Sequence, residues 1–347
     1  MMKAVIFDRF GDAGVLHYTG IPRPEPGPGQ VRVRLHAASL NHLDLFIRSG
    51  ARETNVPMPH ILGCDGAGIV DETGEDVTAF HPGDRVAISP GMSCGTCSSC
   101  TNSRETFCPS YHVLGTRENG TYAEYVCVPE GNLLFLTEKL SLIEGAAVPL
   151  VFLTAWHMLV TRAEIKSGET VLVHGAGSGV GSAAIQIAKL HGARVITTAG
   201  SDEKLEKAKA LGADEAINYN AKDFAKEVRT LTGNRGVDVI FEHTGGEVFA
   251  KSVTVLGRGG RLVTCGSTTD SMANVDVRYI YSRQQSVLGS WMGWKHELEH
   301  VMKLFDAPNG RKLNPVIDSV FPLAKAADAH RRMESRKNFG KIVLEIP

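Results

Sequence analysis

Residues 170–181 read TVLVHGAGSGVG, an apolar run that leads into four closely spaced glycines. The run has the length and composition of a buried strand, and residues 179–190 have the apolar spacing of an amphipathic helix. Glycines between a strand and a helix let the backbone approach a pyrophosphate, and the N–H groups of the helix N-terminus complete an anion site. The pattern predicts a dinucleotide site, and the alternative is a tight turn that binds no ligand. The expected contacts in this turn are Gly177, Ser178, Gly179, Val180 and Gly181.

Downstream of this turn, apolar runs and helical stretches alternate. Together with residues 170–175 they predict six parallel strands joined by helical crossovers, which is an α/β fold with a doubly wound parallel sheet. The stretches are ARVITTAG (193–200), a helix over 202–211, EAINY (215–219), a helix over 222–232, VDVIFEHTG (237–245), a helix near 247–256, GRLVTCG (260–266) and SVLGS (286–290).

The first 150 residues have a different character. Short β-rich runs are separated by turns rich in glycine and proline, such as PRPEPGPGQ at 22–30, and they predict a compact, mostly antiparallel β domain. The last fifty residues end in the strand KIVLEI (341–346), and we expect them to return to this first domain. The expected boundaries are 1–152 for the first domain, 153–295 for the second, and 296–347 for the returning segment.

Four cysteines lie within fifteen residues, with the spacing Cys-x2-Cys-x2-Cys-x7-Cys. This spacing is typical of a tetrahedral thiolate site, and zinc bound by four thiolates has no open position for substrate, so we expect one structural zinc per chain. Two disulfides or an iron–sulfur cluster are the alternatives. The expected ligands, in a lobe over about residues 91–110, are Cys94, Cys97, Cys100 and Cys108.

Charge and composition exclude several classes of partner. The chain has 37 basic and 38 acidic residues and no pronounced basic stretch, so neither nucleic acid nor an anionic membrane is an expected partner. The opening MMKAVIFDRFGD lacks the apolar core of a signal peptide, and a cytoplasmic location is expected. A small-molecule substrate remains the predicted partner.

The choice between NAD(H) and NADP(H) depends on residues about twenty positions after the glycine turn. An NAD enzyme usually has an acidic residue there for the ribose 2′-hydroxyl, but this chain has Gly-Ser-Asp-Glu-Lys at 200–204. Ser201 can hydrogen-bond a 2′-phosphate and Lys204 can pair with it, so NADP(H) is favoured over NAD(H). Alternatively, Ser201 only caps the following helix, and Asp202 and Glu203 leave NAD(H) open.

Taken together, these residues resemble the medium-chain dehydrogenase/reductase superfamily across nearly the whole chain. The resemblance implies a GroES-like catalytic domain, a Rossmann domain and an active site in the cleft between them. It also leaves two branches, zinc alcohol dehydrogenases and zinc-free quinone or enone reductases. The matching segments include Gly63-Cys-Asp-Gly-Ala-Gly68, Pro82-Gly-Asp-Arg-Val86, Gly120-Thr-Tyr-Ala-Glu124, Ala147-Val-Pro149 and Asn338-Phe-Gly-Lys-Ile-Val343.

The positions that resemble the catalytic zinc ligands of the alcohol dehydrogenases have changed. Asn41 stands where that family has a cysteine, Cys64 stands where it has a histidine, and PLVFL at 149–153 contains no ligand. Without a Lewis acid, an unactivated alcohol is difficult to oxidise, whereas a quinone or an activated alkene accepts hydride readily. The predicted function is therefore NADPH-dependent reduction of a quinone or an activated alkene or carbonyl, without catalytic zinc.

The resemblance to quinone oxidoreductases also implies individual roles. Asn41, Asp44 and Cys64 are the expected catalytic residues; alternatively, Asn41 stabilises a turn and Asp44 pairs with Arg48. Lys204 and Tyr219 are expected to flank the adenosine phosphate. Further cofactor contacts are expected at Thr154, Gly245 and Gly266.

Three questions stay open. A zinc-dependent alcohol or polyol dehydrogenase could use Cys64 and Asp65, with His42 as a third ligand. Alternatively, the chain is not an enzyme and binds NADPH as a redox sensor or binds a partner. A homodimer or homotetramer is implied by the resemblance, through edge strands near residues 286–290.

Overall fold

The computed structural model describes residues 1–51, 55–309 and 312–347. The chain forms two compact units: Met1–Leu150 with Trp294–Pro347, and Val151–Gly293. Each boundary lies two residues before the position expected from the sequence.

The described residues contain the following strands and α-helices. The strands are β1 (Met2–Phe7), β2 (His17–Ile21), β3 (Gln30–Ser39), β4 (His60–Ile61), β5 (Asp65–Thr73), β6 (Arg85–Ile88), β7 (Gly91–Met92), β8 (His112–Val113), β9 (Tyr125–Pro129), β10 (Leu133–Phe135), β11 (Thr170–Val173), β12 (Arg194–Ala199), β13 (Glu215–Asn218), β14 (Val237–Glu242), β15 (Leu256–Thr264), β16 (Ser286–Gly289), β17 (Ile317–Pro322) and β18 (Lys341–Glu345). The helices are α1 (His42–Ser49), α2 (Ser98–Thr101), α3 (Leu142–Ala146), α4 (Pro149–Trp156), α5 (Gly179–Leu190), α6 (Asp202–Ala210), α7 (Phe224–Leu231), α8 (Gly246–Val255), α9 (Val277–Arg283), α10 (Lys295–Phe305) and α11 (Ala326–Glu334).

The second unit contains the predicted doubly wound sheet. Its strand order is β13-β12-β11-β14-β15-β16, and neighbouring strands are parallel. All four residues of β11 are buried, as expected for a strand that helices cover on both faces. Leu172, Ile240 and Leu262 lie on neighbouring central strands and pack with Phe224 and Val228 of α7. The α/β fold class predicted from residues 170–290 is confirmed.

The first unit is built on a mostly antiparallel sheet with the order β10-β6-β5-β3-β18-β17, and β9 also pairs with β3. The sheet is close-packed at Gly68 of β5, where a Cβ atom would lie 2.0 Å from the carbonyl oxygen of Arg34 in β3. Only glycine allows this approach of the two backbones.

The C-terminal segment completes this sheet. Strand β18 pairs antiparallel with β3, with Val343 opposite Ser39, and pairs parallel with β17. Its first residue, Lys341, therefore lies next to the end of β3, where the chain turns into α1. None of the helices in the described part of the chain is long and apolar enough to cross a membrane.

Candidate functional site

The four lobe cysteines come together around one point. Their sulfur atoms all lie within 4.8 Å of one another. The Sγ–Sγ distances are 3.5 Å for Cys97 and Cys100, 3.9 Å for Cys94 and Cys100, and 3.5 Å for Cys94 and Cys108. Tetrahedral zinc with bonds of about 2.3 Å requires sulfur separations of about 3.8 Å. These residues therefore fit one zinc ion, and we call residues 91–110 the cysteine lobe.

The alternatives for these cysteines fit less well. A disulfide bond needs about 2.05 Å between sulfur atoms, and all four cysteines are free thiols. The ligands of an iron–sulfur cluster bind different iron atoms, which requires a wider spacing than one ion does. Donation from the N–H groups of Thr96 and Cys97 lowers the pKa of Cys94 to about 6, whereas burial raises the pKa of Cys100 to about 11. The thiolate that a metal needs is therefore favoured at Cys94 and not at Cys100 before a metal binds.

The glycine turn of the second unit has the geometry of an anion site. Ser178 is the N-cap of α5, and its hydroxyl accepts from Gly181 N at 2.9 Å and donates to Gly175 O at 2.8 Å. A Cβ atom on Gly181 would lie 2.3 Å from Gly175 O, so this position accepts only glycine. Gly177 lies in the turn, and Gly179 and Val180 begin the helix, where N–H groups would face a bound anion.

Two buried histidines lie behind this turn, and the sequence reasoning missed both. Nε2 of His243 lies 3.0 Å from His174 O and 3.3 Å from Ser178 Oγ. His174 contacts Thr198 Oγ1 at 3.2 Å and Ser252 Oγ at 2.8 Å. Burial lowers the pKa of His174 to about 3 and also lowers the pKa of His243. Both rings are neutral at pH 7, so they fix the turn without adding charge.

The residues expected to select the cofactor lie at the end of β12. Ser201 is the N-cap of α6, and its hydroxyl accepts from Lys204 N at 3.4 Å. A Cβ atom on Gly200 would lie 2.7 Å from the Tyr219 hydroxyl, so that half-exposed tyrosine lies against the turn. Both the phosphate role and the capping role of Ser201 are compatible with this geometry.

The other expected cofactor contacts lie elsewhere in the second unit. Gly245 has a φ of +80°, and its N–H donates to Glu242 Oε1 at 2.7 Å, just after β14. Gly266 follows β15, at the carboxyl edge of the sheet where dinucleotides bind in doubly wound folds. Thr154 lies in α4, where its hydroxyl contacts Met292 Sδ at 3.9 Å.

A buried polar cluster occupies the positions expected to be catalytic in the first unit. Asn41 Nδ2 donates to Asp65 Oδ2 at 2.9 Å and to Cys64 Sγ at 3.3 Å. Lys341 Nζ donates to Asn41 Oδ1 at 2.7 Å and to Asp65 Oδ2 at 3.0 Å. Burial raises the pKa of the Cys64 thiol well above its ordinary value, so Cys64 is a neutral thiol. We call Ser39, Asn41, Cys64, Asp65 and Lys341 the lysine cluster.

Asp44 and Arg48 have different partners, so the pairing between them that the sequence suggested is wrong. Asp44 accepts from Asn41 N at 2.7 Å, Gly63 N at 3.2 Å and the Tyr122 hydroxyl at 3.1 Å. Asp44 lies in the first turn of α1, where a carboxylate caps backbone N–H groups. Burial raises the pKa of Asp44 to about 6, although these donors and Lys341 oppose the rise.

Arg48 connects α1 with the C-terminal helix α11. It forms an ion pair with Glu334, and its NH1 donates to His330 Nδ1 at 3.0 Å. Burial and the adjacent guanidinium lower the pKa of His330 to about 3. Arg48 therefore stabilises the segment around α1 and does not reach Asp44.

Sequence and structure comparisons place this geometry among known proteins. Residues 27–138 match the family described as alcohol dehydrogenase GroES-like domain, and residues 179–307 match the family described as zinc-binding dehydrogenase. The quinone oxidoreductase of Homo sapiens is 31% identical over 99% of this chain and 98% of its own length.

Two solved structures are similar over nearly their full length. A crystal structure of an NAD-dependent alcohol dehydrogenase superposes with a TM-score of 0.96 and is 48% identical, with 100% of both chains covered. The cobalt- and zinc-bound thermostable alcohol dehydrogenase of Pyrobaculum aerophilum has a TM-score of 0.89 and is 33% identical, with 99% of each chain covered.

Proposed function

Because this chain belongs to the medium-chain dehydrogenase/reductase superfamily and is an oxidoreductase, we propose that it reduces a quinone or an activated alkene or carbonyl with NADPH. In this proposal the cysteine lobe holds one structural zinc ion, and there is no catalytic zinc. The main support is the set of contacts made by Asn41, Asp65 and Lys341. An amide N–H and an ammonium group are donors, and neither can bind a metal ion.

The donor set of the lysine cluster does not suit a catalytic zinc. Such a site needs three protein ligands and an open position. Cys64 is a buried neutral thiol, and both oxygens of Asp65 accept hydrogen bonds, from Lys341 and from Leu150 N among others. Within the described residues, the only group of three or more potential His, Cys, Asp or Glu ligands is the cysteine quartet.

Hydride transfer to a polarised acceptor needs no Lewis acid. A bound reduced nicotinamide would supply a hydride ion, with both electrons of its C–H bond, to an electrophilic carbon of a quinone or an enone. The resulting phenolate or enolate is stabilised by conjugation and takes one proton from solvent. Hydrogen-bond donors near the acceptor oxygen add to that stabilisation.

NADPH is the cofactor that we propose, since Ser201 and Lys204 lie together at the end of β12, with Tyr219 beside Gly200. Lys204→Ala should raise the KM for NADPH roughly tenfold, as expected for the loss of one ion pair with phosphate, and should change the KM for NADH little. Lys207→Ala, in the next turn of α6, is the matched control, because that lysine pairs with Glu203. Equal losses for both cofactors with Lys204→Ala would contradict the assignment.

We also propose that the protein is a cytoplasmic homodimer or homotetramer. Four reduced thiolates in the cysteine lobe are stable in a reducing compartment. Strand β16 ends the parallel sheet, and its Val287 is 44% exposed, so this edge can pair with a second copy. Sedimentation of the wild type and of Val287→Lys tests the pairing, because a charge at that edge should favour the monomer.

The direct test of function is a turnover assay with 1,4-quinones, enones, aldehydes and primary and secondary alcohols, with NADPH, NADH and both oxidised cofactors. Consumption of NADPH with quinones or enones is the expected result. The second candidate is alcohol oxidation, which the name of the 48% identical structure favours. Reduction of NAD⁺ with alcohols alone would support it and exclude our proposal.

A further inference from the structure

The ammonium group of Lys341 is buried and fully hydrogen-bonded. Its side chain is 4% exposed, and Nζ donates to Leu40 O at 2.8 Å, Asn41 Oδ1 at 2.7 Å and Asp65 Oδ2 at 3.0 Å. These three bonds use all three N–H groups of the ammonium. Lys341 therefore has no donor left for a substrate, and its effect passes through the groups that it holds.

Asp65 is the counter-charge of this lysine. Its side chain is completely buried, and Oδ2 also accepts from Asn41 Nδ2 at 2.9 Å and from Ser39 Oγ at 3.3 Å. Its Oδ1 accepts from Leu150 N at 2.9 Å, in the first turn of α4. Removing one member of a buried ion pair leaves an uncompensated charge, which is strongly destabilising.

The backbone fixes the position of the lysine. Gly340 has a φ of +95°, and a Cβ atom there would lie 2.3 Å from Val316 O, so glycine is required. Lys341 N then donates to the same Val316 O at 2.8 Å. Since β18 pairs with β3, the ammonium is delivered to the residues that follow β3.

We propose that Lys341 is a positioning residue that supplies, beside Asn41 and Asp65, the positive charge that a metal ion would otherwise provide. By holding the Leu40 carbonyl and the Asn41 amide, it fixes the segment that leads into α1. It also occupies the polar groups that a metal would need. This inference rests on the proposed metal-independent hydride transfer.

The inference is tested by comparing the wild type with Lys341→Met, Asp65→Asn and the double variant Lys341→Met/Asp65→Asn. In Lys341→Met the buried carboxylate of Asp65 lacks its cation. The melting temperature should fall by roughly 10 °C. The double variant removes the unpaired charge, so it should recover most of this loss.

Other ionisable groups lie near Asp65 and contribute to the stability of each variant. Asp44, Cys64 and Tyr122 each interact electrostatically with it, in addition to Lys341. All four remain in Asp65→Asn, so the difference between that variant and the others isolates the Asp65 carboxylate. A double variant no more stable than Lys341→Met would overturn the charge pairing.

The positioning role has its own readout. For the substrate that the wild type turns over, Lys341→Met and the double variant should lower kcat roughly tenfold to a hundredfold, as small misplacements do, with little change in the KM for the cofactor. Arg332→Met removes another ion pair of the same unit, with Asp318, and is the control that should keep its kcat. An unchanged kcat in a folded Lys341→Met protein would overturn the positioning role.

These outcomes are separate from the proposed function. If the wild type turns over alcohols and no quinone or enone, the function is wrong, and the unfolding series and the kcat comparison with alcohols still decide the role of Lys341.

Discussion

The cysteine lobe and the lysine cluster lie in the same structural unit, and each contains groups whose negative charge must be balanced. These groups are the cysteine thiolates in the lobe and the Asp65 carboxylate in the lysine cluster. The lobe gathers four sulfur atoms from fifteen consecutive residues, and Cys94 is exposed. The lysine cluster gathers its groups from β3, β5, β18 and the residues next to β3 and β5, and it is buried. Two of its members, Asn41 and Lys341, are separated by 300 positions. In the first region the charge balance depends on a metal ion. In the second it is supplied by the chain itself.

The two regions therefore use two kinds of positive charge, a metal ion in the cysteine lobe and an ammonium group in the lysine cluster. A zinc ion in the lobe has a closed set of four ligands and stabilises structure. An ammonium beside Asp65 keeps a polar site ordered without creating a Lewis acid. Under the proposed function, this arrangement suits acceptors that need no activation by metal.

The largest expected effect is the loss of the lobe metal. Cys108→Ser removes a buried ligand, so zinc content should fall from one per chain to near zero, and the melting temperature should fall by roughly 10 °C or more. Metal analysis and thermal unfolding measure both. Cys127→Ser is the matched control, because Cys127 lies in β9, outside the lobe, and its substitution should retain the zinc. Zinc retained after Cys108→Ser would show that the four thiolates do not form the site.

The opposite experiment adds a metal site to the lysine cluster. Asn41→Cys places a thiol close to Cys64 and Asp65, but the Lys341 ammonium should still exclude a cation. Combining Asn41→Cys with Lys341→Met should raise zinc content from one toward two per chain, because three ligands and no competing cation then meet. Cobalt substitution would report the new thiolate–metal bond by its absorption. A second zinc in Asn41→Cys alone would mean that Lys341 does not exclude metal.

Lowering the pH should have a smaller effect, which is a fall in the free energy of unfolding through His330. The pKa of His330 is lowered to about 3, so the folded state keeps this ring neutral while the unfolded chain protonates it near pH 6.5. Its contribution to stability is present above pH 6.5 and is lost as the pH falls toward 3. Between pH 7 and pH 5 the loss is about 2 kcal/mol.

His330→Gln keeps an acceptor for Arg48 and removes the titration. Its free energy of unfolding should therefore fall less between pH 7 and pH 5 than that of the wild type, as denaturant unfolding measures. The pH dependence that Asp44 contributes has the opposite sign. Because its pKa is raised to about 6, the free energy of unfolding falls as the pH rises from about 4 to 6. The same slope in His330→Gln and the wild type would contradict the assignment to His330.

The elements that could be predicted are those encoded by local spacing. The strand and helix around residues 170–190 lie where the apolar pattern indicates, and the cysteine spacing predicted a group that the structure brings within bonding range of one ion. Each of these depends on neighbours in sequence.

The lysine cluster could not be predicted, for a physical reason. Lys341 was visible only as part of a motif, and its partners depend on β18 reaching β3 across the whole chain. Asp44 and Arg48 are four apart on one helix, which favours pairing on an exposed surface. Here both are buried, and closer donors and acceptors on other elements satisfy them first.

The zinc content of the purified wild-type protein, measured together with its turnover, tests the central claim most directly. We predict one zinc per chain, held by the cysteine lobe, in a protein that reduces quinones or enones without any further metal. Two zinc ions per chain, with alcohol oxidation that disappears when the more weakly held ion is chelated, would contradict it.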